Sequence, residues 1–93
     1  MPTRVFHVAY TKKADKALSK MDAFDRKLVL SWIGKNLEGC FDPRAQGKGL
    51  SGDRSSEWRY RVGDYRIIAE IRDQEVLILV LAVGHRREVY DKA

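Results

Sequence analysis

The sequence predicts an α+β fold in which a strand and two helices precede three antiparallel strands, with the helical hairpin packed on one face of the sheet. Two observations predict it. Apolar residues recur at three- and four-residue intervals in the first half of the chain, and the interval changes to two from about Ser56. With 93 residues, 44% of them hydrophobic, the chain has material for one core, so we expect a single domain over residues 1–93.

The first half of the chain is predicted to hold one strand and two helices. Val5 to Tyr10 is rich in β-forming residues and is predicted to be the first strand. Thr11 and Asp22 are well placed to cap the two helices, and the glycine-rich stretch Gly39 to Gly52 is predicted to be a loop. The predicted inner stripes are Ala14, Ala17, Leu18 and Met21 in the first helix, and Phe24, Leu28, Trp32 and Ile33 in the second.

The next two strands are predicted to form a hairpin around Gly63-Asp64, which is a typical two-residue connection. One face of this hairpin is apolar, and we expect the helices to cover it. Its residues are Trp58, Tyr60, Val62, Tyr65, Ile67, Ala69 and Ile71.

The last strand is predicted to run from Val76 to Val83 after a turn at Asp73-Gln74. Because it is apolar on both sides, we expect it to be central or nearly so in the sheet. Its leucines at positions 77, 79 and 81 would then lie on the face away from the helices. In this register Leu81 lies across from Arg66, so the basic residues would lie against apolar side chains of the last strand.

Three arginines share that outer face of the predicted hairpin. The turn pairs Val62 with Tyr65. Arg61 then lies directly opposite Arg66, and Arg59 follows two residues along the same face. Like charges directly opposite each other destabilise a sheet, so we interpret the cluster as a surface for a polyanion. The net charge of +5 favours RNA, DNA or an acidic protein as the partner.

Several classes of protein are excluded by what the sequence contains. Cys40 is the single cysteine and cannot form an internal disulfide, and His7 and His85 offer no zinc-ligand spacing, so we expect no metal or other cofactor. The longest uncharged apolar run, Val76 to Val83, is far shorter than the roughly 18 residues of a membrane span. The N-terminus lacks the apolar core of a signal peptide. We expect a soluble, cytoplasmic protein with no membrane partner.

An ordered set of short motifs resembles the RelE branch of the RelE/ParE toxin superfamily. The motifs are Gly49 to Gly52, Trp58 to Arg66, Val83 to Arg86, and Val89-Tyr90. The order of the predicted elements agrees with this fold along nearly the whole chain. The resemblance implies a toxin with a cognate antitoxin protein as partner. It also implies that the toxin enters the A site of the ribosome and cuts messenger RNA without a metal, with the RNA 2′-hydroxyl as nucleophile.

The same resemblance implies a set of catalytic residues. At the matching positions this chain has Arg59, Arg61 and Arg66 on the hairpin, Arg86 after the last strand, and Tyr90 near the C-terminus. The best-known relative has lysines on the second strand, and a guanidinium stays protonated and makes a poor base. His85 is therefore predicted as a further catalytic residue, because imidazole exchanges protons near neutral pH, with Tyr90 as the second candidate for proton transfer.

The sequence leaves two other functions open. A ParE-like protein that inhibits DNA gyrase by binding would share the fold, since fold does not decide function. Such a protein does not need the basic residues together with a tyrosine. A non-catalytic RNA-binding module would need exposed aromatic side chains, whereas most aromatic residues here fall on the predicted core face.

Overall fold

A five-stranded sheet with two helices forms the part of the chain that the computed structural model describes, residues 4–49 and 57–85. The helices are α1 (Lys12–Lys20) and α2 (Ala23–Asn36). The strands are β1 (His7–Tyr10), β2 (Lys48–Gly49), β3 (Glu57–Val62), β4 (Tyr65–Arg72) and β5 (Leu77–His85). The predicted α+β fold, with a strand, two helices and three antiparallel strands, is confirmed.

The strand order across the sheet is β1-β5-β4-β3-β2. β5 lies between β1, to which it is parallel, and β4, to which it is antiparallel, so its predicted central position is confirmed. β2 is a short edge strand within a stretch that was predicted to be only a loop, and it places Lys48 opposite Arg59. The chain therefore adds one strand to the predicted sheet.

The hairpin of β3 and β4 has the predicted register. Val62 lies opposite Tyr65, and Arg61 lies opposite Arg66. Gly63 has a φ of 59°, a conformation in which glycine at the first position of a two-residue hairpin loop avoids the steric cost of a side chain.

The turn between β4 and β5 is longer than predicted. The amide of Val76 donates to the carbonyl of Asp73, and Val76 itself has a φ of 51°. β5 consequently begins at Leu77, which lies opposite Arg72. The predicted start of the strand at Val76 is wrong because this β-branched residue adopts a conformation that its type disfavours.

An irregularity between Ile68 and Ala69 shifts the register once more, since Ile68 lies opposite Ala82 and Ala69 lies opposite Val80. Arg66 is therefore opposite Gly84, and the predicted pairing of Arg66 with Leu81 is wrong. The extra residue on β5 is a β-bulge, which reverses the side-chain alternation that follows it.

Both predicted helix caps are confirmed. The side-chain oxygen of Thr11 accepts a hydrogen bond of 3.1 Å from the amide of Ala14. Asp22 Oδ2 accepts one of 3.1 Å from the amide of Phe24. Each cap satisfies one of the amides that a helix N-terminus leaves without an intrahelical partner.

The core lies between the helices and the apolar face of the sheet. The stripe predicted for α1 is confirmed at Ala14 and Leu18, which are buried. The stripe predicted for α2 is confirmed at Ile33, which is buried, and at Trp32, which packs against the core. It is wrong at Phe24 and Leu28, which are 74% and 43% exposed. The buried apolar side chains are Phe6, Ala14, Leu18, Val29, Ile33, Leu37, Tyr60, Val62, Ile67, Ala69, Ile71, Ile78, Val80 and Val83.

The helices of the described residues include none that is long and apolar enough to cross a bilayer.

Candidate nucleic-acid interface

The arginine face, which we define as Arg59, Arg61 and Arg66, lies on the side of the sheet away from the helices. Residues directly opposite each other on neighbouring strands point to the same side, so Arg61 and Arg66 project from the same side of the sheet as neighbours. Arg59 lies two residues along β3 and opposite Ile68. The predicted sharing of one face by these three residues is confirmed.

Burial differs sharply among the three arginines. Arg61 is exposed, Arg59 is half-buried, and Arg66 retains only 8% of its accessible surface. The neighbour of Arg66 on β5 is Gly84. A cation that is mostly removed from water interacts more strongly with an anion than an exposed one does, because solvent screens it less. Of the three arginines, Arg66 is therefore the one whose charge is screened least by solvent.

Lys48 adds a fourth cation that the sequence prediction missed. It lies directly opposite Arg59 in the pairing of β2 with β3, so it points to the same side of the sheet. The signal for this strand was the pair of glycines around the lysine. A Cβ on Gly47 would overlap the carbonyl oxygen of Arg59, and one on Gly49 would lie 2.9 Å from Trp58 Cζ3. Glycine is needed at both positions because the two strands approach closely.

The segment before β2 is fixed to β3 by two aromatic side chains. The buried hydroxyl of Tyr60 donates a hydrogen bond of 2.6 Å to the carbonyl of Pro43. Trp58 Nε1 donates one of 2.5 Å to the carbonyl of Gln46. These bonds hold the chain on either side of Arg44 and lead it into β2, so the core contributes to the placement of Lys48.

An acidic row limits the basic surface along the strands. Glu57 lies opposite Glu70, two residues beyond Arg59 and Ile68 respectively. Glu70 accepts a hydrogen bond of 3.1 Å from Arg72 Nε, and the same guanidinium lies 3.6 Å from Glu75. The positive charge of the outer face is therefore concentrated at the end of the sheet that carries the β3–β4 hairpin.

His85 lies on the other side of the sheet from the arginine face. It is paired with Tyr65, and the two rings meet edge to face with their centroids 5.8 Å apart. The Tyr65 hydroxyl donates a hydrogen bond of 2.7 Å to Asp25 Oδ2 of α2, which identifies this as the helix side. Uninterrupted alternation from Leu77 would have put His85 beside the arginines, and the bulge in β5 prevents it. The structure does not bring His85 together with the arginine face.

Arg86 and Tyr90 lie outside the described residues, as do Leu50 to Gly52 of the first motif. Their predicted roles remain predictions.

Other ionisable groups of the described chain form contacts at the opposite end of the sheet. His7 Nδ1 lies 2.7 Å from Glu38 Oε2, and the amide of Val8 donates to the same carboxylate at 2.9 Å. These hydrogen bonds, the one from Val8 first, lower the pKa of Glu38. Within residues 4–49 and 57–85, no three His, Cys, Asp or Glu side chains are grouped so that they could hold a metal ion.

Comparison with protein families finds one match over most of the chain. Residues 8–90 match the model described as the ParE toxin of the type II toxin–antitoxin system parDE. A search of curated protein sequences finds no match.

Solved structures with a similar fold include toxins from bacteria and archaea. The RelBE2 toxin–antitoxin complex of Mycobacterium tuberculosis matches with a TM-score of 0.77 and 24% identity, over 91% of this chain and 95% of that one. The isolated Escherichia coli RelE toxin matches with a TM-score of 0.73 and 23% identity, over 95% and 94%. The archaeal RelE–RelB complex of Pyrococcus horikoshii OT3 matches with a TM-score of 0.67 and 25% identity, over 88% and 96%.

Proposed function

This chain belongs to the ParE toxin family of type II toxin–antitoxin systems, within the RelE/ParE superfamily that its motifs resemble, and on this premise we propose that it is an endoribonuclease. In the proposal it acts in the cytoplasm and cleaves messenger RNA in the A site of the ribosome without a metal ion. The observation that supports this function best is the arginine face, in which Arg61 and Arg66 lie directly opposite each other.

The proposed reaction needs positive charge beside a single phosphate. The 2′-hydroxyl oxygen attacks the neighbouring phosphorus while the bond from phosphorus to the 5′-oxygen breaks. The products are a 2′,3′-cyclic phosphate and a free 5′-hydroxyl. Negative charge grows on the non-bridging oxygens during this step, and guanidinium groups stabilise it with paired, charge-assisted hydrogen bonds.

The three arginines have different roles in the proposal. Arg66 is buried and so is held in place before the RNA binds, which makes it the main group stabilising the transition state. Arg61 binds the same phosphate from the facing strand. Arg59 and the neighbouring Lys48 bind the next part of the RNA backbone.

Proton transfer requires residues other than these arginines. A base must accept the proton of the 2′-hydroxyl, and an acid must protonate the leaving 5′-oxygen. We assign this work to Tyr90 first, with Arg86 as a further cation, on the basis of the sequence resemblance. His85 becomes the second candidate because it lies on the helix side of the sheet.

The test is single-turnover cleavage on ribosomes programmed with a defined messenger RNA, in buffer containing a chelator for transition metals. We expect cleavage in the A-site codon, with a 2′,3′-cyclic phosphate on the upstream fragment. Intact message after incubation with folded toxin would contradict the proposal. In the same assay, Tyr90→Phe should slow cleavage by about 100-fold or more, and His85→Gln should slow it much less. If His85→Gln slowed cleavage more than Tyr90→Phe did, His85 would become the first candidate for proton transfer.

Inhibition of DNA gyrase by binding is a second candidate function. Two observations favour it: the matching family model is that of ParE toxins, and His85 lies away from the arginine face. A supercoiling assay with purified gyrase distinguishes the two functions. Inhibition of supercoiling together with intact messenger RNA on ribosomes would support the second candidate and exclude the first.

A cognate antitoxin is the partner expected for a toxin of this family. The M. tuberculosis and P. horikoshii structures are complexes of toxin with antitoxin. For this chain we propose that an acidic or apolar antitoxin segment covers the arginine face or displaces residues 86–90, because the net charge is +5 and either position blocks access of a phosphate.

A further inference from the structure

A second basic surface lies on the helix side of the sheet. Three lysines of α1 line a cleft of about 510 Å³, and the opposite wall is formed by the end of the sheet, with Tyr65 and His85. We define the lysine cleft as Lys13, Lys16, Lys20 and His85. Because Tyr65 and His85 point to the helix side, this cleft and the arginine face lie on opposite sides of the sheet.

The position of the lysines follows from the periodicity of α1. Lys13, Lys16 and Lys20 are spaced by three and four residues, so they form one stripe along the helix. Ala14 and Leu18 are buried in the core, which leaves the lysine stripe at the margin of the core and exposed to solvent. Burial of Ala14 and Leu18 therefore fixes the direction in which these lysines point.

The lysines of the cleft keep their charge available for a partner. Among the described residues, none of the three forms an ion pair. The two carboxylates that line the cleft have other contacts: Asp22 caps α2, and Asp25 accepts the hydrogen bond from Tyr65. Both carboxylates lie at the N-terminus of α2, where the partial positive charge of the helix end offsets their own.

We propose that the lysine cleft binds the phosphate backbone of structured RNA. Lysine ammonium groups are flexible point charges, and they suit contacts with phosphates that carry no sequence information. Five of the eleven residues that line the cleft are charged, three of them lysines, and Met21 and Val83 are its larger aliphatic side chains, whereas protein interfaces bury an apolar centre depleted of charged residues. An RNA backbone therefore fits the cleft better than an acidic protein segment does.

Placement on the opposite side gives the cleft a function distinct from cleavage. RNA that is bound to the lysine cleft leaves the arginine face open to a single strand of message. The inference rests on the proposed function in one respect, that the structured RNA is part of the ribosome on which the message is cut. Two contacts on opposite sides of the sheet would hold the toxin between the message and that RNA.

Salt dependence of RNA binding tests this inference. The variant is Lys13→Gln, Lys16→Gln and Lys20→Gln together. The control is Lys12→Gln, Lys27→Gln and Lys35→Gln together, three exposed lysines of α1 and α2 that lie outside the cleft. Both variants lower the net charge from +5 to +2. Glutamine has a helix propensity close to that of lysine, so both should fold.

The probes are a defined double-helical RNA and ribosomes without message. Each lysine that releases a counterion from duplex phosphate contributes about 0.9 to the slope of log K against log salt. We expect the cleft variant to bind both probes more weakly and to lower the slope by about 2 to 3, and the control to change the slope by less than about 1. Equal slopes for the two variants would overturn the inference.

Two further outcomes separate this inference from neighbouring ones. If the cleft variant loses binding to an acidic antitoxin segment while its RNA slope matches that of the control, the cleft is a protein site and the inference is wrong. If the wild type leaves message intact on ribosomes but the cleft variant shows the reduced slope, the proposed endonuclease fails and the RNA site stands.

Discussion

The arginines at the two ends of the sheet have neighbours of opposite charge. At the end where β4 turns into β5, Arg44 makes two hydrogen bonds of 2.9 Å to Asp73, and Arg72 contacts Glu70 at 3.1 Å. At the hairpin end, Arg61 is directly opposite Arg66 instead of a carboxylate. Lys48 is likewise opposite Arg59.

In our proposal this difference arises because the hairpin end binds an anion. Exposed ion pairs such as those of Arg44 and Arg72 contribute about 0–1 kcal/mol each to folding. Opposite-charge pairs across strands are worth roughly 0.2–1 kcal/mol, and like charges in the same position are destabilising. A sheet arranged for stability alone would place a carboxylate opposite Arg61, and this chain places Arg66 there.

The largest effect should come from Arg66→Lys, which keeps the positive charge but replaces the planar guanidinium group with an ammonium group. We expect single-turnover cleavage on programmed ribosomes to fall by about 100-fold or more, because lysine cannot offer two parallel hydrogen bonds to one phosphate. The matched control is Arg72→Lys at the other end of β4, which should cleave at the wild-type rate. Equal rates for the two variants would remove the distinction between the ends of the sheet.

Tyr60→Phe should weaken the attachment of the segment before β2 to β3. The Tyr60 hydroxyl is buried and donates to the carbonyl of Pro43, and this change leaves that carbonyl without its donor. We expect the free energy of unfolding in urea to fall by about 1–3 kcal/mol. Tyr10→Phe is the control, since no hydrogen bond of its hydroxyl to a described residue is found. Equal losses in the two variants would contradict the role of this bond.

Burial also predicts that Tyr60 makes stability depend on alkaline pH. Desolvation is the main cause that raises the pKa of Tyr60 above its ordinary value. The neutral phenol is therefore favoured in the folded state, and its contribution is complete below the unfolded pKa, near 10. Stability should fall as the pH rises beyond that value, and the fall should be smaller in Tyr60→Phe.

The smallest effect should appear in acid at the ion-paired end. The hydrogen bonds from Arg44 are the first cause that lowers the pKa of Asp73. Its stabilising contribution is therefore present above the unfolded pKa of about 3.9 and lost as the pH falls through the lower folded value. Asp73→Asn should cost less than about 1 kcal/mol at neutral pH and nothing at about pH 2.

The control for this acid measurement is Asp64→Asn, a change in the exposed hairpin turn. It should leave the unfolding free energy nearly unchanged across the same pH range. A loss that is as large in acid as at neutral pH in Asp73→Asn would show that the ion pair is not its cause.

Local patterns were enough to predict most of the fold. Thr11 and Asp22 cap the helices as predicted, because a cap depends on a few neighbouring residues. The hairpin register followed from a turn of two residues, and that register brought Arg61 and Arg66 together. The arginine face was therefore predictable from the sequence, whereas the neighbouring Lys48 was not.

The features that the sequence did not predict depend on contacts between distant residues. Apolar residues occur on all sides of α2, so its sequence does not show which side is buried. Packing against the sheet decides that Val29 is buried while Leu28 is 43% exposed. Val76 has a positive φ, against the preference of its type, so the sequence pointed to a shorter turn. The bulge in β5 reverses the side chains after it, which is why His85 faces the helices and Gly84 faces the arginines.

The most direct test of the account compares stability and cleavage in one variant, Arg61→Ala. Arg61 is exposed and lies opposite Arg66, so its loss should leave the core intact and relieve a like-charge contact. We expect the free energy of unfolding in urea to be unchanged or to rise by up to about 1 kcal/mol, while single-turnover cleavage falls by about 10-fold or more. Lower stability with wild-type cleavage would contradict the account, because Arg61 would then serve the fold instead of an anion.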